Sequence, residues 1–365
     1  MDSLKDIRVI QLIDSLEPGG AERMAITIAN GLVDQVAFTG LVVTRLEGGL
    51  KNTIDKKVGY TFVNKKNIVD FKAVFCLKDF IKANNVNIIH AHGSSYFFAI
   101  LLKLIFPSLK IFWHDHFGNR VKAKEKFFLL RFLSVFFSGV FTVNETLKEW
   151  AVKKLWVKDV QFLPNFTLET AEESVTILKG EAGKRIVFLA NLHTPKNHLL
   201  ALKAFMNSKI YKDGWTMHLV GKDKLDNYSE VLKNFISHNN LQDSVLIYGS
   251  CNDVKCILKQ AKVGILVSSY EGFPVTLLEY GMANLIVVCT DVGYCNTIIQ
   301  NRKTGYLIPP DNSELLKNTF LTIANETQKN EVLANNLNTF VEVNYAPEKV
   351  IQSIIMGYKK YLSNA

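Results

Sequence analysis

Two carboxylates eight positions apart, Glu271 and Glu279, bracket the segment Gly272-Phe273-Pro274-Val275-Thr276-Leu277-Leu278. The apolar run before it, Val263 to Val267, reads as a buried strand that Gly272 and Pro274 end. Val275 to Ala283 continues as a short helix. Pro274 is expected at its first helical position, where the missing N–H costs nothing. A helix starting just after a strand presents free amides and the positive end of its dipole, which suits a phosphate. Glu271, in the loop at that mouth, can face a reacting sugar. Glu279, about two turns into the helix, can accept from a ribose diol. The spacing outlines a site for a sugar nucleotide.

Other residues offer related chemistry. Gly19 and Gly20 follow a strand and open a helix, where the lack of side chains lets backbone amides approach a ligand; an ordinary tight turn would use the same pair. Arg23 lies in the first turn of that helix, within reach of a phosphate. Lys196 follows Pro195 in a post-strand loop, where an ammonium can neutralise charge building on a leaving diphosphate. Gly221-Lys222-Asp223 follows another strand and is placed on the nucleobase side. His90-Ala-His92 and His114-Asp-His116 both end strands and are expected to point into a ligand cleft. The repeated His-x-His invites a metal, but no third and fourth ligand is evident, so no metal site is assigned. Glu145 and Asn165 also fall at strand ends.

These residues need elements to place them. From Arg8 to Val143 the chain alternates strand and helix: strands at 8–13, 36–43, 86–90, 110–113 and 139–143, helices at 21–31, 69–84, 96–106 and 125–138. The rhythm restarts at Arg185–Ala190 and runs through strands at 216–221, 244–248, 263–267 and 285–289. The polar, acidic stretch from Asn165 to Lys184 reads as a linker. Such alternation predicts an α/β protein of two domains, 1–168 and 169–346, each a parallel sheet with helices on both faces. Ligands of such sheets bind at the carboxyl ends of the strands, so a cleft between the domains is expected. A last helix, within 347–365, is expected to pack back on the first domain.

A chain of 365 residues exceeds what one core usually supports, in agreement with two domains. No 18-residue charge-free apolar run occurs, and the first residues carry no apolar signal region; neither a membrane span nor a secretion signal is expected. The five cysteines are scattered without a metal-type pattern, which predicts free thiols in a cytoplasmic protein. The net charge of +9 is uneven: residues 1–168 hold 23 Lys and Arg against 15 Asp and Glu. That basic half is open to an anionic acceptor, an anionic membrane face, nucleic acid or nothing beyond solvation. Nucleic acid is set aside because neither an aromatic platform nor a recognition motif accompanies the charge. The apolar segments Tyr96–Phe106 and Phe127–Phe137, the second preceded by Lys122, Lys124 and Lys126, suit either a membrane surface or burial, and burial is favoured.

Four motifs in order then resemble one family. Gly-Gly-Ala-Glu at 19–22, Ala-Asn-Leu-His-Thr-Pro-Lys-Asn-His at 190–198, the Glu-x7-Glu at 271–279 and Gly-Tyr-Leu-Ile-Pro-Pro at 305–310 look like family 4 glycosyltransferases. The resemblance covers essentially the whole chain. It implies the GT-B fold, two facing Rossmann-like domains with an interdomain cleft, and a retaining transfer from a nucleoside-diphosphate sugar, UDP- or GDP-linked, without a metal. It places Gly19 and Gly20 under the donor diphosphate, Glu271 on the sugar, Glu279 on the ribose, and Gly272, Phe273, Val275 and Thr276 by the sugar and phosphates, with Pro274 unable to donate. Gly221 joins the donor residues. His114 or His116 takes the place of a histidine that contacts donor sugar or acceptor, and Lys196 stabilises the leaving group. The family usually pairs that lysine with an arginine five positions earlier; here the position is Asn191, whose amide could donate one hydrogen bond without charge. The implied acceptor is a hydroxyl of a glycan or lipid-linked glycan in bacterial surface polysaccharide assembly, at the inner face of the membrane. A non-catalytic binder of the same fold and a UDP-sugar epimerase are the alternatives.

Overall fold

A computed structural model describes residues 6–67, 70–117, 120, 127–168 and 174–362. The chain divides into two compact units, residues 1–168 with 346–365 and residues 169–345.

The first unit carries seven strands: β1 Arg8–Ser15, β2 Phe38–Leu46, β3 Gly59–Phe62, β4 Ile88–His92, β5 Lys110–Asp115, β6 Gly139–Thr142 and β7 Val160–Phe162. They pair in parallel in the order β3-β2-β1-β4-β5-β6-β7. Helices α1 Gly20–Leu32, α2 Phe71–Ala83, α3 Tyr96–Ile105, α4 Phe128–Leu133 and α5 Glu145–Lys154 connect them. The strands β3 and β7 are short edge strands with half-buried side chains, and periodicity had not marked them. The helix expected over 125–138 is only α4 followed by a 3-10 turn at Ser134–Phe136; Lys122, Lys124, Glu125 and Lys126 lie outside the described residues.

The second unit repeats the plan with β8 Arg185–Leu189, β9 Thr216–Val220, β10 Val245–Gly249, β11 Val263–Leu266, β12 Ile286–Thr290 and β13 Tyr306–Ile308. Their order, β10-β9-β8-β11-β12-β13, is again all parallel and reverses beside the first strand of the unit. That reversal is the switch point of a doubly wound sheet, where ligands bind. The helices are α6 His198–Ser208, α7 Asn227–His238, α8 Val254–Lys259, α9 Val275–Met282, α10 Cys295–Ile298, α11 Ser313–Asn325 and α12 Thr327–Asn344. A core of Phe188, Phe205, Met217, Leu219, Ile265 and Val288 fills the space between sheet and helices.

Helix α13, Pro347–Leu362, follows the second unit in sequence but packs on the first. Its apolar stripe, Val350, Ile351, Ile354, Ile355 and Tyr358, recurs at helical spacing and is buried. Lys360 pairs with Asp159 at 2.9 Å.

The segment read as a linker is largely docked. Asn165 and Phe166 are buried, and Asp253 accepts from the backbone N–H groups of Val175 and Thr176 at 2.8 and 2.6 Å. Burial is also uneven in the two apolar segments. In α3, Phe98, Ala99, Ile100 and Leu102 face the core, as favoured. In the second segment, Phe128, Leu129, Phe132 and Val135 are exposed, against the expectation of burial. The reason is geometric: α4 is only six residues long and buries Leu130 alone.

Candidate functional site

In the second unit, the loops after β8 and β11 are laced together. Ser269 donates from its backbone N–H to the carbonyl of Pro195 at 2.8 Å. Beside that link, Lys196 Nζ lies 2.5 Å from Glu271 Oε1, and Ser268 donates its hydroxyl to the same oxygen at 2.6 Å. The Glu271 side chain is 10% exposed and that of Lys196 23%, so the pair is largely desolvated without being sealed. The two charged residues sit 75 positions apart in sequence and share one contact. Neither partner's spacing could have revealed it.

Three backbone features fix Glu271. Gly293 packs under it with φ +56, and a Cβ there would lie 1.9 Å from the Glu271 carbonyl oxygen. Only glycine fits that position. Thr290 donates to the carbonyl of Ser268 at 2.6 Å. Phe273, buried, stacks on Tyr294 with ring centroids 5.0 Å apart.

Helix α9 is fixed from behind by Tyr280. Its buried hydroxyl accepts from the Leu189 N–H at 2.9 Å and donates to the Ile265 carbonyl at 3.1 Å, tying the helix to β8 and β11. Glu279, half-buried, precedes it on the same helix. Pro274 is the N-cap of α9, one position earlier than expected, and Val275 is the first helical residue.

Side-chain caps occur on only some helices, and α3, α4, α8, α10 and α12 lack one. Asp70, Asn144, Asp226 and Asn312 each accept from a first-turn amide of α2, α5, α7 and α11. The starts of α1, α6 and α9, which follow the first strand of each unit and β11, have no side-chain cap. Their leading amides are therefore not claimed by an Asx side chain. At α1, Gly19 is the extended N-cap and Gly20 has open space around it: a Cβ on Gly20 would meet nothing within 4 Å. The Glu22 carboxylate folds back over Gly19, one oxygen 2.2 Å from where a Cβ would stand. Burial there pushes the Glu22 pKa up, helped by the nearby Asp14 charge and opposed by its own backbone N–H.

Asn191 uses its side-chain oxygen within the fold. Its side-chain oxygen accepts from the Lys222 backbone N–H at 2.9 Å, and Leu192 donates to the Lys222 carbonyl at 2.9 Å. The residue clasps the loop after β8 to the loop after β9. Gly221 lies in that clasp, where a Cβ would stand 2.1 Å from the Ala190 carbonyl oxygen. His193 stands beside Lys196; burial, then the Lys196 and Lys224 charges, hold its pKa below the usual range.

In the first unit the four histidines meet across β4 and β5. His90 stacks on His92, ring centroids 4.6 Å apart and planes 6° apart, and His114 stacks on His116 at 4.1 Å. Tyr358 of α13 bonds His90 Nδ1 at 2.6 Å, and His90 Nε2 meets His114 Nδ1 at 3.1 Å. Gln11 Oε1 meets His92 Nε2 at 2.9 Å, and His92 Nδ1 meets His116 Nε2 at 2.9 Å. Nitrogens of His90, His92 and His114 come within 4.8 Å of one another. Five of the six ring nitrogens of these three residues are engaged in hydrogen bonds and only His114 Nε2 is without a partner, a poor arrangement for convergence on one ion. Desolvation holds all four imidazoles neutral, His90 and His116 at about 3 and His92 and His114 well below the usual value. His90, His92 and His114 are buried. Of the two histidines put forward for substrate contact, His114 has no exposed surface, and only His116 reaches out.

The sequence reading missed Ser268, Gly293, Tyr280, Gln11 and Tyr358. A glycine inside the β11 run, Gly264, was the one available signal: it makes room for the Tyr280 ring.

Two family models match, Glycosyltransferase Family 4 over residues 18–167 and Glycosyl transferases group 1 over residues 170–339. The chain belongs to the family 4 glycosyltransferases, retaining enzymes of the GT-B fold with two Rossmann-like domains. It is 23% identical over 329 residues to the UDP-Gal:alpha-D-GlcNAc-diphosphoundecaprenol alpha-1,3-galactosyltransferase of Escherichia coli, covering 82% of this chain and 84% of that one. It is 24% identical over 346 residues to a Campylobacter jejuni GalNAc-alpha-(1->4)-GalNAc-alpha-(1->3)-diNAcBac-PP-undecaprenol alpha-1,4-N-acetyl-D-galactosaminyltransferase, covering 90% and 92%. Among solved structures, Anabaena HepE in complex with UDP and glucose superposes with a TM-score of 0.79 at 17% identity, covering 98% of this chain and all of that one.

Proposed function

We propose that this glycosyltransferase moves a sugar from a UDP-sugar to a hydroxyl of an undecaprenyl-diphosphate-linked glycan at the cytoplasmic face of a bacterial membrane. The observation that carries the reading is the Lys196–Glu271 pair at the uncapped start of α9. The activities of the Escherichia coli and Campylobacter jejuni relatives support the acceptor, and the HepE complex supports a UDP-linked donor.

In this reading the amides of Phe273, Val275 and Thr276, with the Thr276 hydroxyl, take the diphosphate and neighbouring sugar oxygens. Glu279 accepts from the ribose hydroxyls. Gly19 and Gly20 lie under the diphosphate, with open space over Gly20, and Gly221 lines the base side. Glu271 accepts from hydroxyls of the transferred sugar. The anomeric carbon–phosphate oxygen bond breaks as the acceptor oxygen bonds the same face of that carbon. The acceptor proton passes to the leaving phosphate. Lys196 shares its ammonium between Glu271 and the UDP leaving group, a fixed charge placed where negative charge grows. Since Asn191 serves as a clasp, Lys196 carries the cationic part of that task. The reading needs no metal: charge neutralisation falls to Lys196 and helix amides.

Membrane contact is part of the same proposal. Exposed Phe128, Leu129, Phe132, Val135 and Trp156 lie among Arg131, Lys153 and Lys154, and Arg131 covers the Trp156 ring at 5.0 Å. Aromatic and basic residues together suit an anionic lipid surface. No helix among the described residues is long and apolar enough to cross a membrane.

Incubating the purified chain with UDP-sugars and a short-chain prenyl-diphosphate glycan tests the reading. A lengthened glycan with the donor's anomeric configuration is expected. Donor consumption without acceptor that yields an isomeric UDP-sugar would instead favour epimerisation.

A further inference from the structure

The imidazole cluster consists of two branches with different ends. One runs Tyr358–His90–His114 and stops at His114 Nε2, buried and without a partner. The other runs Gln11–His92–His116 and ends at the only one of the four rings that is not buried. The second branch sets a direction. Gln11 turns its oxygen to His92 and leaves its own buried Nε2 without a partner; in this orientation the oxygen accepts, and His92 carries its proton on Nε2. A neutral imidazole has a single N–H, which leaves His92 Nδ1 as an acceptor. His116 Nε2 must then be the donor, and the His116 lone pair sits on Nδ1.

We propose that Gln11 is a positioning residue: working through His92, it holds His116 in the Nε2–H form, so that Nδ1 accepts a hydrogen bond from a sugar hydroxyl. The activity part of this proposal rests on the glycosyltransferase reading above; the tautomer does not. Gln11 is held for the task. It is fully buried on β1, opposite His90 in the β1–β4 register. Desolvation of the half-buried His116 ring holds its pKa below the usual value, so the ring is neutral near neutral pH. Its role is to orient a hydroxyl while the proton goes to the leaving phosphate.

The test is long-range 15N–1H NMR on the full chain near pH 7.5, with the His116 signals assigned by their loss in His116→Asn. The expected pattern is a single Nε2–H tautomer for His116, replaced by an averaged one in Gln11→Met. An Nδ1–H pattern in the unaltered protein overturns the proposal, whatever the enzyme's activity. For function, Gln11→Met should lower kcat/KM for transfer about tenfold in the parent and less than about twofold in His116→Asn. Equal losses in both backgrounds also overturn it. Binding separates the source of the hydroxyl. Weakened UDP-sugar binding with unchanged UDP binding in His116→Asn assigns it to the donor sugar. A raised acceptor KM with unchanged donor binding assigns it to the acceptor. No change in either overturns the contact.

Discussion

The carboxyl ends of the two sheets hold their polar groups by opposite means. In the second unit, charge does the work: Lys196 and Glu271 come from two loops, meet at 2.5 Å and remain partly open to solvent. In the first unit, neutral rings do it: four imidazoles, a phenol and a carboxamide bond one another behind strand ends, three of the rings with almost no exposed surface. The difference follows from solvation. An ion pair that must share its cation with a diphosphate has to keep some access to water and ligand. A group that only orients a hydroxyl can be buried, provided it is neutral and its hydrogen bonds are directed. The same doubly wound sheet thus supports a charged end in one unit and a neutral end in the other.

The sharpest way to break the contrast is to remove the charge. Lys196→Ala should lower transfer by about 10²–10³-fold, the scale for losing a group that stabilises transition-state charge. It should also lower the melting temperature, because a Glu271 carboxylate at 10% exposure would keep only the Ser268 hydroxyl among the two side-chain partners named here. An activity loss confined to KM would instead make Lys196 a plain binding group. Next in size, Glu279→Ala should weaken UDP binding by about 10–100-fold, the loss of two hydrogen bonds to a charged acceptor, as measured by calorimetry.

Acid tests the neutral end. In the unfolded chain the histidines take up protons near pH 6.5, whereas in the folded protein burial keeps His90 neutral down to about 3 and holds His92 and His114 well below the usual value. The unfolded state therefore binds more protons below pH 6.5. Stability contributed by these groups is complete above that pH and is lost as pH falls below it, at up to about 1.4 kcal/mol per pH unit for each buried ring. Thermal melts from pH 7.5 to 4.5 should show this decline, and His114→Phe should flatten it by about one group's share. A smaller effect is expected at the exposed patch. Phe128→Glu with Phe132→Glu should reduce sedimentation with phosphatidylglycerol vesicles several-fold and leave transfer to a short, water-soluble acceptor within about twofold, since neither residue lies among the groups assigned to catalysis.

Much of this was legible from sequence because it depends on local pattern. Strand–helix alternation gave both doubly wound sheets, and the run from Gly272 to Glu279 gave the α9 mouth with its boundary off by one residue. What stayed hidden depends on residues distant in sequence. The Lys196–Glu271 contact spans 75 positions, and the imidazole branches exist only because strand pairing sets Gln11 of β1 level with His90 of β4 and His92 of β4 level with His114 of β5. Asn191 could be seen to depart from the family's arginine, but its use as a clasp needed the position of the Lys222 amide. The exposure of Phe128 and Phe132 was likewise unreadable, because an apolar run looks the same on either side of a short helix.

The central claim is that the charged end of the second unit supports sugar transfer. Its most direct test is the rate of transfer from a UDP-sugar to a prenyl-diphosphate glycan by the parent chain and by Glu271→Gln, with melting temperature and UDP affinity measured alongside. The account predicts turnover with retention in the parent and a loss of at least about 100-fold in the variant, while UDP still binds. Full turnover by Glu271→Gln, or a parent chain that binds UDP but turns over no UDP-sugar, would contradict it.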